Sequence, residues 1–485
     1  MRRTLLFISA SILLVGSIGT AHATDPSEVP PPDPSPGTVD WQLRDAQNIA
    51  HSMGRMPDEY ANPAFTRTFW TQTPSNYLGA IAHQADDPSR PIVSAGQLLP
   101  GGITADPYRD DWESQGRGRR IHFQFLNRYG ARLVGDLWEP NPGAPHPLTG
   151  APMNAPYPAI VITTGSIQAP ASLYRWAAEG LAESGYLVLT YDVQGQGESE
   201  VFGHRPDGTV WCHNGSAATP VRAWEPAEMD PSCPGAPFQQ TANFVNGTED
   251  ALDFLLSTRD APYAYYKPGT GTLASDPLAG DVDPSRIGIA GHSLGANAVS
   301  IVQAYDARVD TIVAWDNLAT YAGAGWVPRV PAMGQNAEYF LNPTPTTSQP
   351  AAKDGAFQAW KAAGMDAMQV AIGGATHLEW SYVPFLLPAS VDGERVAMYY
   401  TLAWFDRYLK GDATATTRLK ALLFDTSADT SAIGAGRWDA PTNSNVPYTL
   451  DEQRVWSHLS FYYVSEYSLD AGTSSCTDMR RDAAC

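Results

Sequence analysis

The chain has 485 residues, of which 43% are hydrophobic and 11% aromatic, so it can bury the core of a large single domain or of two domains. Its formal net charge is −20, from 51 acidic and 31 basic residues. This acidity excludes binding to nucleic acid or to an anionic membrane through a basic patch, and we expect no nucleic-acid partner.

The N-terminus has the features of a secretory signal peptide. Arg2 and Arg3 precede an apolar run from Thr4 to Ile18, and Ala21-His22-Ala23 supplies small residues for cleavage. The run is short for a membrane anchor, and no later stretch is apolar enough to suggest a membrane span. We predict a signal peptide over residues 1–23, cleavage near Ala23, and a protein secreted to the extracellular space or the periplasm.

The composition changes several times along the remaining chain. Residues 24–40 are rich in proline and acid and predict a flexible leader. Residues 41–115 are mixed and predict an N-terminal extension that packs on the core. Residues 116–425 have the patterns of a catalytic domain, with a Pro- and Gly-rich insertion at about 200–245, and residues 426–485 form a C-terminal extension.

Strand and helix patterns alternate through residues 116–425. The sequence predicts strands over Gly118–Arg128, Ala131–Trp138, Tyr157–Thr163, Leu187–Tyr191, Arg286–Ala290, Thr311–Ala314, Pro331–Gly334 and Met368–Ile372. It predicts helices over Ala171–Ser184, Thr248–Ser257, Ala296–Tyr305 and Ala397–Leu409, and further edge strands within Leu459–Leu469. Such alternation favours an α/β fold with a mostly parallel central sheet and helices on both faces. Gly195 and Gly197 follow a strand, but no third glycine completes a dinucleotide-binding loop.

A serine flanked by glycines stands between a predicted strand and a predicted helix. Gly291-His292-Ser293-Leu294-Gly295 follows Arg286–Ala290 directly. A serine hydroxyl is a weak nucleophile that must be held on a tight turn beside a base, and a strand–G-x-S-x-G–helix context is typical of a nucleophile elbow. Ser293 is therefore the predicted nucleophile, and His292 is assigned to packing.

The predicted base is His377. It follows Met368–Ile372 through a glycine-containing loop, at the strand end where open sheets place their sites. The histidines that precede Ser293 in the chain have the wrong order for this architecture.

The acid that orients the base should lie between Ser293 and His377. Glu338 is the first choice because it follows the strand that begins at Val330-Pro331, and Asp316, which follows the strand before it, is the alternative. Asp366 precedes its strand, and Asp354 lies on a helix-like stretch with no evident reason to face the site.

Two backbone N–H groups should form an oxyanion hole. One belongs to Leu294, directly after the nucleophile. The other is expected from Ser166, in the loop after Tyr157–Thr163.

The chain contains four cysteines. In an exported protein an even number favours disulfides, and the simplest pairing is Cys212–Cys233 with Cys476–Cys485. No Cys-x-x-Cys is present, which disfavours a zinc site, and we expect neither a metal nor a cofactor.

Several motifs between Arg132 and Asp412 resemble those of secreted bacterial α/β-hydrolases of the dienelactone hydrolase and cutinase-like polyesterase type. They are residues 135–140 (GDLWEP), 164–166 (TGS), 180–186 (GLAESGY), 283–295 (DPSRIGIAGHSLG) and 404–409 (WFDRYL). The resemblance implies an α/β-hydrolase fold. In such enzymes an aspartate commonly follows the strand after V-P; Phe340 stands at that place here, which favours Glu338 as its substitute. The resemblance also makes Trp315 a candidate substrate contact beside the acyl pocket.

These features together predict a serine hydrolase that cleaves small-molecule or polymeric carboxylic esters through a Ser-His-acid triad and an acyl-enzyme. A serine peptidase on the same fold is the alternative, because fold does not determine reaction. A non-catalytic binding protein on a hydrolase scaffold is a third hypothesis. The sequence does not indicate the oligomeric state.

Overall fold

The structure is a computed structural model. It describes residues 38, 39, 42, 43, 112–114, 116–147, 149–166, 169–200, 203–204, 210–211, 241–322, 325–338, 351–373, 375–381, 391–420, 459–460, 463–479 and 485. The predicted signal peptide and most of the predicted leader and N-terminal extension lie outside these residues.

The described part of the chain contains strands with the following bounds. They are β1 (Gly118–Leu126), β2 (Arg132–Pro140), β3 (Tyr157–Thr163), β4 (Leu187–Tyr191), β5 (Gly203–His204), β6 (Val210–Trp211), β7 (Val282–His292), β8 (Thr311–Trp315), β9 (Ala332–Ala337), β10 (Ala367–Ile372), β11 (Glu466–Leu469) and β12 (Ser474–Cys476). The α-helices are α1 (Arg175–Ala182), α2 (Thr241–Leu255), α3 (Leu294–Tyr305), α4 (Ala351–Ala362), α5 (Val391–Leu409) and α6 (Ala415–Leu419), and a 3₁₀-helix over Ala171–Tyr174 leads into α1.

A ten-stranded sheet has the order β1-β2-β4-β3-β7-β8-β9-β10-β11-β12. Strand β2 is antiparallel to both of its neighbours, whereas β4, β3, β7, β8, β9 and β10 pair in parallel. Strands β11 and β12 add an antiparallel edge. This order, with a G-x-S-x-G turn after the central strand β7, is that of the α/β-hydrolase fold, and the predicted fold class is confirmed.

Helices cover both faces of the sheet because its central strands are apolar on both sides. In β3, Ile160 and Ile162 pack in the cluster that contains residues of α1 and α5, whereas Ala159 and Val161 pack in the cluster that contains residues of α2, α3 and α4. All seven residues of β3 are buried. A continuous apolar run in the sequence is therefore a strand enclosed on both faces, as parallel sheets require.

The C-terminal segment is joined to the domain by the pairing of β11 with β10, and a disulfide within the segment connects β12 to residue 485. Cys476 at the end of β12 is bonded to Cys485, as predicted. Cys212 and Cys233 lie outside the described residues, so their pairing stays a prediction. Within the described part of the chain, no helix is long and apolar enough to cross a membrane.

Candidate active site

Ser293 lies at the turn between β7 and α3, at the centre of the sheet. Its backbone has φ 56° and ψ −118°, a left-handed conformation that costs a non-glycine residue about 1–3 kcal/mol. Hydrogen bonds hold this conformation in place: the N–H of Ser293 donates to the carbonyl of Trp315 at 3.0 Å, and its own carbonyl accepts the N–H of Asn297 at 3.0 Å. The side chain is only partly buried, so the hydroxyl is presented at the end of the sheet.

The two flanking glycines are required by close backbone contacts. A Cβ atom on Gly291 would collide with the carbonyl of Gly295. A Cβ atom on Gly295 would collide with the backbone oxygens of Thr163, the last residue of β3, and of Thr164, which follows it. Because backbone atoms cannot move aside as a side chain can, neither position tolerates a larger residue. The G-x-S-x-G spacing therefore reflects the packing of this turn.

His377 lies in the loop after β10 and reaches Ser293. Its Nε2 is 3.0 Å from the Oγ of Ser293, and its Nδ1 is 2.7 Å from Oδ2 of Asp316. A carboxylate has no proton to donate, so Nδ1 carries the hydrogen and Nε2 is left to accept the serine proton. The structure thus brings the predicted nucleophile and the predicted base together in hydrogen-bond order.

Asp316 is fixed directly beside the nucleophile by the register of the sheet. His292 pairs with Trp315 across β7 and β8, so the residues that follow them, Ser293 and Asp316, leave the sheet side by side. The N–H of Ala337 donates to Oδ1 of Asp316 at 3.0 Å, which leaves Oδ2 for His377. Like Ser293, Asp316 has a positive φ, of 38°.

The choice of Glu338 as the acid partner of His377 is wrong, and the alternative, Asp316, occupies that position. Glu338 is fully buried one residue beyond β9, and its Oε1 accepts a hydrogen bond from the hydroxyl of Ser460 at 2.8 Å. The register of the sheet places the end of β8, next to β7, closer to the nucleophile than the end of β9, and the order of strands along the chain does not reveal this.

Trp315, which the resemblance makes a candidate substrate contact, lies in the core beneath the end of β8. Its side chain is completely buried, packs 5.5 Å from the ring of Trp176, and donates its indole N–H to the hydroxyl of Thr401 on α5 at 3.2 Å. It supports the end of β8 from the face covered by helices α1 and α5.

The loop after β3 lies against the nucleophile, where an oxyanion donor is needed. A Cβ atom built on Gly165 would be 3.3 Å from the Cβ of Ser293. The N–H of Gly165 itself donates to the hydroxyl of Tyr174 at 2.8 Å, so it does not point to the oxyanion position. Ser166, the predicted donor, is the next residue of this loop and is partly exposed. Leu294, the other predicted donor, is the first residue of α3, where backbone N–H groups lack partners within the helix.

Gln196 holds this loop, and the sequence analysis did not identify that role. Its side-chain amide donates to the carbonyl of Gly165 at 2.9 Å and to the hydroxyl of Thr164 at 3.1 Å, and its oxygen accepts the N–H of Ala169 at 3.2 Å. Gln196 belongs to the turn after β4 and stands between Gly195 and Gly197, both of which have positive φ. The two glycines are the sequence signal of a tight turn at this position.

The carboxyl of Asp192 stabilises that turn by accepting hydrogen bonds from backbone N–H groups. Its two oxygens accept the N–H groups of Ala171 and Glu198 at 2.6 and 2.7 Å. Burial raises the pKa of Asp192 to about 7, although both hydrogen bonds oppose the shift. The carboxyl thus connects the turn after β4 to the start of the 3₁₀-helix.

His292 is more than a packing residue. It is buried, and hydrogen bonds join its ring nitrogens to the hydroxyl of Tyr174 and to the carbonyl of His377, each at 2.8 Å. Burial and the neighbouring His377 lower the pKa of His292 to about 3, so the ring is neutral near pH 7.

Among the residues that the structure describes, no group of three or more His, Cys, Asp or Glu side chains is placed to hold a metal ion. The side chains of the site are a hydroxyl beside an imidazole that is oriented by a carboxylate, and together they can transfer a proton and form an ester with Ser293.

No protein-family model matches the chain, and no curated protein matches it. Among solved structures, the chain is similar to a ferulic acid esterase from Streptomyces cinnamoneus, with 20% sequence identity and a TM-score of 0.38. The similarity covers 61% of this chain and 90% of the other. The assignment of the fold rests on the strand order and on the position of the Ser293 turn within it.

Proposed function

We propose that this chain is a secreted hydrolase of carboxylic esters that acts through an acyl-enzyme on Ser293. The observation that carries the proposal is the unbroken line of hydrogen bonds from Asp316 through His377 to Ser293, at 2.7 and 3.0 Å. A nucleophile, a base and an orienting acid within hydrogen-bond reach are the geometric signature of serine hydrolases on unrelated folds.

In the first half of the reaction, Oγ of Ser293 attacks the ester carbonyl while Nε2 of His377 takes its proton. The imidazolium that forms is stabilised by Asp316 through the hydrogen bond at Nδ1. Collapse of the tetrahedral intermediate passes that proton to the departing alcohol and leaves the acyl group on Ser293. Water then attacks the acyl-enzyme with His377 again as base, and Ser293 is regenerated.

The tetrahedral intermediate requires donors on the side of Ser293 that faces the loop after β3. We assign this role to the backbone N–H groups of Leu294 and Ser166. Support comes from the N-terminal position of Leu294 in α3 and from the close approach of Gly165 to Ser293. Removing one such donor in a serine hydrolase costs about 10²–10³ in turnover.

The deciding experiment combines active-site labelling with a substrate panel. A fluorophosphonate should label the purified protein on Ser293, and Ser293→Ala should abolish both labelling and ester hydrolysis while the fold is retained. Ser285→Ala is the matched control because Ser285 lies on the exposed part of the same strand, β7. Wild-type protein that neither reacts with the probe nor hydrolyses any ester would refute the proposal.

The same panel distinguishes esters from amides. Each acyl group is presented both as an ester and as the corresponding amide, and we expect hydrolysis of the ester members. Faster cleavage of aminoacyl amides would instead assign the site to a serine peptidase. Secretion is tested separately by N-terminal sequencing of the exported protein, which should begin near Thr24.

A further inference from the structure

The inference concerns buried groups beside the nucleophile that the proposed mechanism does not use. The side chains of Tyr174 and His292 stand between the loop after β3 and the loop that carries the base. Tyr174 is completely buried and His292 is 2% exposed. Their hydrogen bonds run from the N–H of Gly165, through Tyr174 and His292, to the carbonyl of His377, and each of the three distances is 2.8 Å.

The direction of every hydrogen bond in this line is fixed by chemistry. The carbonyl of His377 can only accept, so Nε2 of His292 carries the ring hydrogen and donates it. A neutral ring with its hydrogen on Nε2 has a lone pair on Nδ1, and the hydroxyl of Tyr174 therefore donates to it. The oxygen of Tyr174 in turn accepts the N–H of Gly165, which can only donate. One arrangement of protons satisfies all the groups.

Both ends of the line belong to the candidate site. At one end, Gly165 lies so close to Ser293 that a Cβ atom at this position would be 3.3 Å from the Cβ of Ser293, and it precedes Ser166, the assigned oxyanion donor. At the other end, the accepted carbonyl is that of the base itself. The rings of His292 and His377 lie 4.8 Å apart. A shift of about 1 Å in the position of a catalytic group can cost on the order of a hundredfold in rate.

We propose that Tyr174 and His292 are positioning residues that fix the base loop and the oxyanion loop relative to one another. The inference rests on the proposed function, because it assigns them a part in the same reaction. It assigns them no contact with substrate.

A neutral His292 also suits the charge that the reaction creates. The groups that face its ring are Tyr174 from the 3₁₀-helix, His377 from the base loop and Asp316 from the end of β8. A second positive charge on His292 would oppose formation of the His377 imidazolium. A cationic ring would also donate at Nδ1, which would leave the hydroxyl hydrogen of Tyr174 without its acceptor.

Two amide variants separate the halves of the line. An asparagine oxygen takes the place of Nδ1, so His292→Asn can still accept from Tyr174 but loses the donor to His377. A glutamine nitrogen takes the place of Nε2, so His292→Gln can keep the donor to His377 but loses the acceptor for Tyr174. Tyr174→Phe removes the hydroxyl and leaves the N–H of Gly165 without it. Tyr186→Phe is the control, because it removes a buried hydroxyl bonded to Asp406 on the same face of the sheet.

The readouts are kcat and KM for an ester, the pH profile of kcat/KM, and thermal stability. We expect His292→Asn and Tyr174→Phe to lower kcat at least ~tenfold with little change in KM. The acid limb of the kcat/KM profile, which reports the base, should shift in His292→Asn. His292→Gln should retain more activity than His292→Asn, and Tyr186→Phe should lose stability with wild-type kinetics.

The outcomes distinguish this inference from the proposed function. If the wild-type protein is active but His292→Asn and Tyr174→Phe lose only stability, with kcat and the pH profile unchanged, the positioning role is refuted and the ester hydrolase stands. If the wild-type protein neither reacts with the fluorophosphonate nor hydrolyses esters, both fall.

Discussion

Replacing Asp316 by asparagine tests the acid of the triad at the level of individual hydrogen atoms. Both carboxylate oxygens are in use, one by the N–H of Ala337 and the other by the N–H of His377. The amide has one oxygen and one NH₂ group. If the oxygen stays with Ala337, the NH₂ group faces Nδ1 of His377 and forces the ring hydrogen onto Nε2. Once Nε2 carries that hydrogen, it can no longer accept the proton of Ser293.

The opposite orientation of the amide is also costly. It restores an acceptor for His377 but sets the NH₂ group against the N–H of Ala337, which costs about 1–3 kcal/mol for the unsatisfied donors. Neither orientation keeps the negative charge that stabilises the imidazolium. We therefore expect Asp316→Asn to lower turnover by about 10⁴-fold, equivalent to ~5.5 kcal/mol of transition-state stabilisation.

The assay measures kcat/KM on a chromogenic ester, with circular dichroism to establish folding. Glu338→Gln is the matched variant, because its amide oxygen can still accept from Ser460 and the base is untouched; its turnover should stay within a few-fold of wild type. The assignment of Asp316 is refuted if Asp316→Asn retains activity close to wild type, or if Glu338→Gln is the more damaging change in a folded protein.

Four further predictions concern stability and the oxyanion loop. Gly295→Ala should lower the free energy of unfolding by about 1–3 kcal/mol, because its Cβ meets backbone oxygens. Gly355→Ala should raise the free energy of unfolding by about 0.5–1 kcal/mol, because a Cβ atom there meets no neighbour and the position lies inside α4. Urea unfolding measures both variants, and a less stable Gly355→Ala protein would contradict the argument. Gln196→Ala should release the loop at Gly165 and lower kcat, as measured by single-turnover acylation; unchanged acylation would exclude this role. The pKa of His292 is lowered to about 3, so between pH 6.5 and 3 the unfolded chain binds a proton there that the folded chain does not. The contribution of His292 to the unfolding free energy should therefore fall with falling pH by up to about 1.4 kcal/mol per unit. His292→Gln lacks this contribution, so from pH 7 to pH 4.5 its unfolding free energy should change in the stabilising direction relative to that of wild type, and equal slopes would refute the argument.

The central strands could be predicted from the sequence because their residues are apolar on both faces. Tyr157–Thr163 and Leu187–Tyr191 are apolar runs bounded by breakers, and the structure has the same bounds. The second helix was predicted to begin at Thr248, but it begins at Thr241. Phe244 and Val245 in its first turns are buried, and tertiary packing extends the helix through a stretch that composition alone assigned to the insertion.

Some residues of the site could likewise be predicted from local sequence, and others could not. Ser293 and His377 carry local signals, namely a glycine-flanked turn and a loop at a strand end, and the structure brings them together. The acid has no local signal, because its identity depends on which strand lies next to β7 and in what register. The contact between Tyr174 and His292 joins residues 118 apart in the chain and follows no spacing rule. Such pairings are set by the topology of the sheet.

The position of Asp316 has a consequence for how this protein can be altered. Nucleophile and acid leave adjacent strands, and the N–H of Ser293 is bonded to the residue that precedes the acid. Their separation is therefore inherited from the sheet itself. Glu338 does not hold the base, so its side chain can be replaced without removing the acid. In engineering this protein, the chain from Trp315 to Asp316 should be left unchanged.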